Sequence, residues 1–274
     1  MLRGISALIG AAFVGVLAFA LFGTISGLIT DPPAKTAQEE FHKHPKHLEI
    51  ASNGMTGRFD KAELQRGFKV YSEVCSNCHS LSHIAFRDLK KIGYSEAQVK
   101  KIASDWDAKA KQSTLDAKTG ERGERGNTPA DHFPLVYYPG QGNPPDLSLI
   151  TKARHDGPAY VYSLLTGYSD QPAELLKKFP EAKTPDGLYY NPYFANLNIA
   201  MPPPLASDGQ VTYDDGTKST VDQNAKDVAA FLTWAAEPEL EQRHAMGFAT
   251  IGFLLVFSLL AYGAYRSIWR NVKH

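Results

Sequence analysis

The sequence has few of the residues that crosslink a small fold or give it a net charge. It contains two cysteines and four methionines among 274 residues, and lysine plus arginine equals aspartate plus glutamate at 29 each. Two cysteines cannot build a disulfide scaffold or a four-cysteine zinc site. Zero net charge argues against a nucleic-acid binder, since such proteins contact phosphates through an excess of basic residues. There is no internal repeat and almost no sustained strand alternation, so we predict a mainly α fold with long loops.

Charged residues are absent from a long apolar run at the start of the chain. Residues 5–29 carry no charge, and at about 1.5 Å per residue they can cross a hydrocarbon core of roughly 30 Å. We predict that residues 1–30 form a retained transmembrane anchor. A cleaved signal peptide is the alternative, because Ala18-Phe19-Ala20 resembles a small-x-small cleavage site. Both interpretations export the segment that follows.

A second apolar run lies near the end of the chain and predicts a transmembrane helix over residues 244–265. Residues 266–274 then carry three positive charges and no negative one, which places this tail in the cytoplasm. Residues 31–58 are interpreted as a linker or a strapped-down arm. Residues 59–243 are predicted to form one loop-rich domain on the outer side of the membrane.

Capping residues mark several helices of this domain. Asp60 is predicted to cap a helix that runs as far as Cys75. Ser95 begins a capping-box pattern, and Pro158 opens a short helix. Asp222 is predicted to start the last helix before the C-terminal anchor.

The strongest motif is Cys75-Ser76-Asn77-Cys78-His79, which is the C-x-x-C-H pattern of c-type haem attachment. Two thiols one turn apart can add to the two vinyl groups of one porphyrin, and the histidine that follows can bind the iron. A thioredoxin-like pair would need a βαβ context, which the sequence does not predict. A zinc site would need a second ligand pair, but there is no third cysteine.

A second axial ligand is suggested by elimination among the methionines. Met201 precedes the prolines at 202–204, which stiffen the loop and would hold a thioether at a constant distance from iron. His132 and His155 are the competing ligands, whereas His83 follows the motif too closely to reach the opposite face of a haem. Histidine–methionine ligation leaves no open site on the iron and raises its reduction potential, so the sequence predicts electron transfer. The other methionines lie at the start, in the arm and at the membrane boundary: Met1, Met55 and Met246.

With these residues the chain resembles the cytochrome c1 family, the haem c subunits of cytochrome bc1 complexes. The similarity covers roughly residues 60–265 and extends well beyond the haem motif. The segments that carry it are Arg66–Tyr71, Val74–Ser80, Pro144–Ser148, Ala153–His155, Tyr160–Tyr168, Gly187–Phe194, Ile199–Met201, Asp227–Ala229 and Trp234–Glu239.

The resemblance implies a class I c-type cytochrome domain around one covalently attached haem c. Cys75 and Cys78 would form the thioether bonds, and His79 and Met201 would be the axial ligands. A backbone carbonyl at Pro145 would accept the imidazole N–H and so fix the ring and its tautomer.

The resemblance also implies a partner for a haem propionate. Arg125 matches the arginine of the family near that group, and a partly buried carboxylate favours a charge-assisted partner. Arg122 and Arg154 are the alternatives.

The function implied is that of an electron-transfer subunit of a quinol–cytochrome c reductase. Such a subunit accepts an electron from the Rieske iron–sulfur protein and passes it to a cytochrome c. It would lie beside cytochrome b in the bacterial inner membrane, with the haem domain in the periplasm and the complex formed as a dimer of bc1 protomers. The alternative is a free-standing, membrane-anchored cytochrome c that serves an oxidase.

Residues 4–265 keep 25 of the 29 basic residues against all 29 acidic ones, a net charge of −4 that would suit a basic cytochrome c. The candidate docking acids are Asp208, Asp214, Asp215, Glu237, Glu239 and Glu241.

Overall fold

The computed structural model describes residues 2–32, 34–116, 118–140 and 142–272. About half of the chain is helical, and this confirms the mainly α fold. The α-helices are α1 Leu2–Thr30, α2 Ala37–Phe41, α3 Lys61–Glu73, α4 Glu96–Asp105, α5 Ile150–Ala153, α6 Gly157–Leu165, α7 Ala173–Lys178, α8 Val221–Ala236 and α9 Leu240–Trp269. The 3-10 turns are Cys75–Asn77, Phe86–Ile92, Trp106–Ala108 and Pro180–Ala182. The strands are β1 Gln112–Leu115, β2 Arg122–Arg125, β3 Tyr189–Tyr190 and β4 Asn198–Ile199, paired as two antiparallel hairpins.

The chain divides into two compact units, one ending at His42 and the other beginning at Lys43. The first unit contains α1, which has a mean hydropathy of 2.5 over its apolar window. The short α2 follows. It begins with a capping box, in which the side chains of Thr36 and Glu39 each accept a hydrogen bond from the other residue's backbone N–H group. By length and composition, α1 is able to cross a membrane.

In the second unit, α9 meets the same criteria, with a mean hydropathy of 2.0 and none of its apolar window buried. It extends beyond the predicted span of 244–265 by four residues at each end. No proline or glycine interrupts residues 240–246, so nothing stops the helix from starting directly after Pro238 and Glu239. The polar first turns therefore continue the apolar helix into the folded domain.

The core of the second unit is the contact between α3 and α8. Gly67 lies where the two helices cross, and an added Cβ there would collide with the carbonyl oxygen of Asp227 and lie 2.6 Å from the Cβ of Phe231. The close approach brings Phe68 and Tyr71 within 5.6 and 5.7 Å of the Phe231 ring. Aromatic pairs at this spacing add to the stabilisation from burial.

Three sequence-predicted helix starts are confirmed. Asp60 caps α3, with its carboxylate accepting the N–H of Ala62 at 2.9 Å. Ser95 and Gln98 form the capping box of α4. Pro158 lies in the first turn of α6, where its missing N–H costs nothing.

Two predicted helix limits were wrong. The α3 helix ends at Glu73, and the chain tightens at Cys75 into a 3-10 turn. The cap of α8 is Thr220, whose hydroxyl accepts the N–H of Gln223. Asp222 instead accepts a hydrogen bond from a tyrosine and pairs with a lysine on its own helix.

Residues 43–58 lie against the folded domain as an arm. Leu48 and Ile50 are part of the buried core. The Lys46 N–H donates to Ser163 Oγ at 2.7 Å, and the Lys46 ammonium donates to the hydroxyl of Thr166 at 2.7 Å. The arm is therefore fixed to α6 and to the turn that follows it.

Candidate haem-attachment site

The attachment motif lies in the tight turn that ends α3. The carbonyl oxygen of Cys75 accepts the N–H groups of Cys78 at 3.1 Å and His79 at 2.9 Å. Both cysteines are free thiols and are partly exposed. Burial raises the pKa of the Cys75 thiol to about 12, and the neighbouring Cys78 acts in the same direction. The turn thus presents two thiols and an imidazole within five residues.

Side chains of the motif also close the end of α3. The last carbonyl groups of a helix have no partner within it. The Ser76 hydroxyl donates to the Ser72 carbonyl oxygen at 2.7 Å, and the Asn77 amide donates to the Glu73 carbonyl oxygen at 3.2 Å. The residues between the cysteines therefore hold the attachment turn to the helix.

The imidazole of His79 is oriented by one backbone carbonyl. Its Nδ1 lies 2.8 Å from the carbonyl oxygen of Pro145. A carbonyl can only accept, so Nδ1 carries the proton and Nε2 keeps its lone pair. Burial lowers the pKa of His79, although the carbonyl contact opposes that effect. A neutral ring with a free Nε2 is the form that binds iron.

The segment that supplies this carbonyl is itself fixed. The N–H of Leu147 donates to the Ser80 carbonyl oxygen at 2.9 Å. The carboxylate of Asp146 accepts the N–H groups of Ser82 and Ser148, each at 2.8 Å. These contacts tie the residues directly after Pro145 to the chain that follows His79, so the acceptor of the imidazole N–H is held in place.

Met201 lies in a loop that is held by the hairpin before it and by a hydrogen bond to its own carbonyl oxygen. It directly follows the β3–β4 hairpin, in which Tyr189 is paired with Ile199. The hydroxyl of Tyr168 donates to the Met201 carbonyl oxygen at 3.0 Å. Sequence reasoning missed this role for Tyr168, although the residue belongs to one of the segments that carried the resemblance.

The segment before Pro145 and the loop that carries Met201 lie close together at Gly142. This glycine has a φ of +86°, and an added Cβ would lie 3.9 Å from the Cβ of Ala200. Ala200 precedes Met201, and Gly142 is three residues before Pro145. The loop that orients His79 therefore lies against the loop that carries Met201.

The competing histidines are placed differently. His155 has a fully exposed side chain 3.5 Å from the carboxylate of Asp156. His132 bonds through Nδ1 to the carbonyl oxygen of Ser82 at 2.9 Å. His83 is also exposed, 3.9 Å from Asp146. Over the described ranges, no group of three or more His, Cys, Asp or Glu side chains is arranged to hold a metal ion.

Arg125 lies at the end of the β1–β2 hairpin and makes a bidentate ion pair. Its guanidinium donates to the two carboxylate oxygens of Asp131 at 2.6 and 2.7 Å. This contact holds the pKa of the Asp131 carboxyl well below its usual range. In this structure Arg125 pairs with a carboxylate of the protein, and Arg122 and Arg154 are exposed.

The six carboxylates proposed for docking all have partners within the chain. Distant residues in the sequence supply most of these partners, so the composition did not reveal them. The contacts are Asp208 with the N–H of Val221, Asp214 with Lys69, Asp215 with Arg66, Glu237 with Lys152 and Arg243, Glu239 with Lys91, and Glu241 with the N–H of Phe59. Four of these acids are paired with basic side chains, whereas the contacts of Asp208 and Glu241 are with backbone N–H groups.

Comparison with known proteins agrees with this geometry. The Cytochrome C1 family matches residues 50–272. The chain belongs to the cytochrome c1 family. Cytochrome c1 of Rhodospirillum rubrum is 42% identical over 238 residues, covering 81% of this chain and 86% of that protein. A mitochondrial cytochrome c1 haem protein of Arabidopsis thaliana is 40% identical over 267 residues, covering 94% and 84%.

A third relative is longer than this chain. The protein named cytochrome b/c1 of Bradyrhizobium diazoefficiens is 41% identical over 292 residues. The match covers 98% of this chain but only 41% of that protein. The resemblance predicted from the haem motif and its flanking segments is thereby confirmed.

Membership of the cytochrome c1 family implies a haem c cofactor and an electron-transfer role. The donor set fits that group. Cys75 and Cys78 are free thiols with the sequence spacing of the C-x-x-C-H motif, and His79 presents an unprotonated Nε2. Met201 offers a soft thioether from a loop in which three prolines directly follow it.

Proposed function

We propose that this chain is the haem c subunit of a quinol–cytochrome c reductase. It accepts an electron from the Rieske iron–sulfur protein and passes it to a cytochrome c. The observation that carries the proposal is the 2.8 Å contact between His79 Nδ1 and the Pro145 carbonyl oxygen, because it fixes an imidazole next to two free thiols in the form that binds iron.

Four side chains would hold the cofactor. Cys75 and Cys78 would attach one haem covalently through thioether bonds, and His79 and Met201 would bind its iron. Haem held in this way supplies reversible one-electron exchange between ferric and ferrous iron. Arg125 is the candidate partner of a propionate, and to act there it would have to share its guanidinium with Asp131.

Two tyrosines hold the backbone of the two ligand residues. Tyr71 donates to the His79 carbonyl oxygen at 3.1 Å, and Tyr168 holds the Met201 carbonyl oxygen. With His79 and Met201 both bound to the iron, no site would be left on it for a substrate. The chain therefore contributes to the enzyme by moving electrons, and quinol is oxidised in other subunits.

The two apolar helices place the domain at a bilayer. With its basic tail in the cytoplasm, α9 leaves the haem domain on the periplasmic side of a bacterial inner membrane. Cytochrome b is the expected neighbour, which is supported by the joint name of the Bradyrhizobium relative. Small residues on α9 allow close approach of other helices, and the complex is expected to be a dimer of bc1 protomers. These residues are Gly247, Ala249, Gly252, Ala261 and Gly263.

The haem inventory of the complex tests this function. The complex is solubilised in detergent and purified through a tag on the C-terminus of this chain. We expect about two b haems for each covalent c haem, together with an iron–sulfur signal. Haem c alone, or haem c with an oxidase, would assign the chain to a free-standing electron shuttle and overturn the proposal.

A further inference from the structure

Lys109 lies directly behind the haem-attachment turn. Its ammonium donates to the hydroxyl of Ser76 at 2.8 Å and also to the carbonyl oxygen of Ser72. It also lies 4.8 Å from the centre of the Trp106 ring. Ser76 is buried and stands between the two attachment cysteines, so the charge of Lys109 is fixed next to the place where a porphyrin would be held.

The segment that carries Lys109 is rigid. Trp106 is only 5% exposed and stacks on Tyr71 with ring centres 6.2 Å apart. The carboxylate of Asp107 accepts the backbone N–H and the side-chain amide of Asn127 at 2.7 and 2.6 Å. The backbone that carries Lys109 is therefore held next to the turn.

No carboxylate is paired with this cation in the part of the chain that the structure describes. Its hydrogen-bond acceptors are a hydroxyl and a carbonyl, and the third contact is an aromatic face. Glu73 is the carboxylate that interacts with it electrostatically, and that residue is exposed. Lys101 on α4 differs, because its charge is matched by the carboxylate of Asp105 at 2.9 Å.

We propose that the positive charge of Lys109 raises the reduction potential of the haem held by Cys75 and Cys78. The proposal rests on the haem attachment proposed above. Reduction adds one negative charge to the haem, and a positive charge held against the buried Ser76 of the attachment turn stabilises the reduced form more than the oxidised form. The same contact also closes the end of α3, which keeps the charge at a constant distance from the turn.

Redox titration of the purified complex tests this role. Lys109→Met removes the charge and keeps the length of the side chain, and Lys109→Arg keeps the charge. Lys101→Met is the control for losing an exposed, paired lysine. We expect Lys109→Met to lower the equilibrium constant for haem c reduction at least threefold, which is about 28 mV at 59 mV per tenfold change. Lys109→Arg and Lys101→Met should stay close to wild type.

Two outcomes would overturn the role of Lys109. One is an unchanged potential in Lys109→Met, and the other is an equal decrease in Lys109→Met and Lys109→Arg, which would assign the effect to geometry. If Lys109→Met does not accumulate with haem, Lys109→Gln provides the same neutral test with a donor retained. A wild-type chain without covalent haem would instead refute the proposed function, so the two failures are distinguishable.

Discussion

At the scale of single residues, the site depends on contacts that orient a few donor atoms. The C-x-x-C-H spacing was enough to predict the cysteines and His79 as haem-binding residues. It could not reveal that Tyr71 and Tyr168 hold the backbone of the two predicted ligands, because these contacts need the folded chain. The partner of Arg125 could not be predicted either, since its ion pair with Asp131 depends on the path of the chain after the β1–β2 hairpin.

Replacement of Met201 by alanine tests the distal ligand. We expect haem to remain covalently attached, because the thioether bonds do not involve this residue. Loss of the thioether should lower the reduction potential and open the iron to carbon monoxide. Redox titration and the absorption spectrum of the reduced protein under carbon monoxide measure both effects. Met55→Ala is the control, since Met55 is 74% exposed in the arm. A Met201→Ala protein that keeps its potential and does not bind carbon monoxide would exclude Met201 as a ligand.

Glu63 gives the domain a pH-dependent stability near neutrality. Burial raises the pKa of its carboxyl from 4.5 to about 7, and the nearby Asp227 acts in the same direction. A carboxyl with a raised folded-state pKa favours the fold below its unfolded pKa, and this contribution is lost as the pH rises through the folded value. Stability should therefore fall between about pH 4.5 and 7.

Glu63→Gln should remove this dependence and make the protein more stable than wild type at pH 8. Urea unfolding at pH 5 and pH 8 measures the difference, with Glu96→Gln as the control for an exposed glutamate. Parallel losses of stability in wild type and Glu63→Gln over this range would show that another group is responsible.

At the scale of elements, helix caps that depend on neighbouring residues were predicted correctly, whereas a helix start that depends on a distant residue was not. The caps at Asp60 and Ser95 use hydrogen bonds within three residues, so the sequence predicts them well. Asp222 is of a residue type that often caps helices. Its carboxylate instead accepts a hydrogen bond from the Tyr162 hydroxyl at 2.5 Å, and Thr220 caps the helix. Tyr162 is sixty residues away in sequence. Competition of this kind is decided by tertiary packing.

The crossing of α3 and α8 should not tolerate a side chain at position 67. Gly67→Ala would gain about 1 kcal/mol in helix propensity, but its Cβ would meet the backbone of Asp227 and the Cβ of Phe231 at 2.6 Å. Backbone cannot rotate away, so we expect a net loss of about 2 kcal/mol in the free energy of unfolding. Denaturant unfolding measures this loss. Gly123→Ala is the control, because there the nearest atom is a threonine hydroxyl at 3.1 Å.

At the scale of the whole molecule, charge pattern and apolar length predict how the chain lies in a membrane. The two apolar helices are matched by uncharged runs in the sequence, which is why they were predicted from composition alone. Composition alone could not show whether the acids proposed for docking are paired with basic side chains. Ion pairs such as Arg66 with Asp215 and Lys91 with Glu239 join residues about 150 positions apart, so only the fold shows that these carboxylates are partnered.

The predicted orientation can be tested by cysteine labelling, because both native cysteines are expected to be consumed by haem. Ser207→Cys places a thiol on an exposed loop of the haem domain, and Asn271→Cys places one just after α9. In intact spheroplasts, a membrane-impermeant maleimide should label Ser207→Cys and leave Asn271→Cys unmodified. Asn271→Cys should react only after the membrane is opened with detergent, because the basic residues at the end of α9 keep the tail in the cytoplasm. The wild-type chain measures the background. Labelling of Asn271→Cys from outside would reverse the topology and remove the haem domain from the side where a periplasmic cytochrome c could reach it.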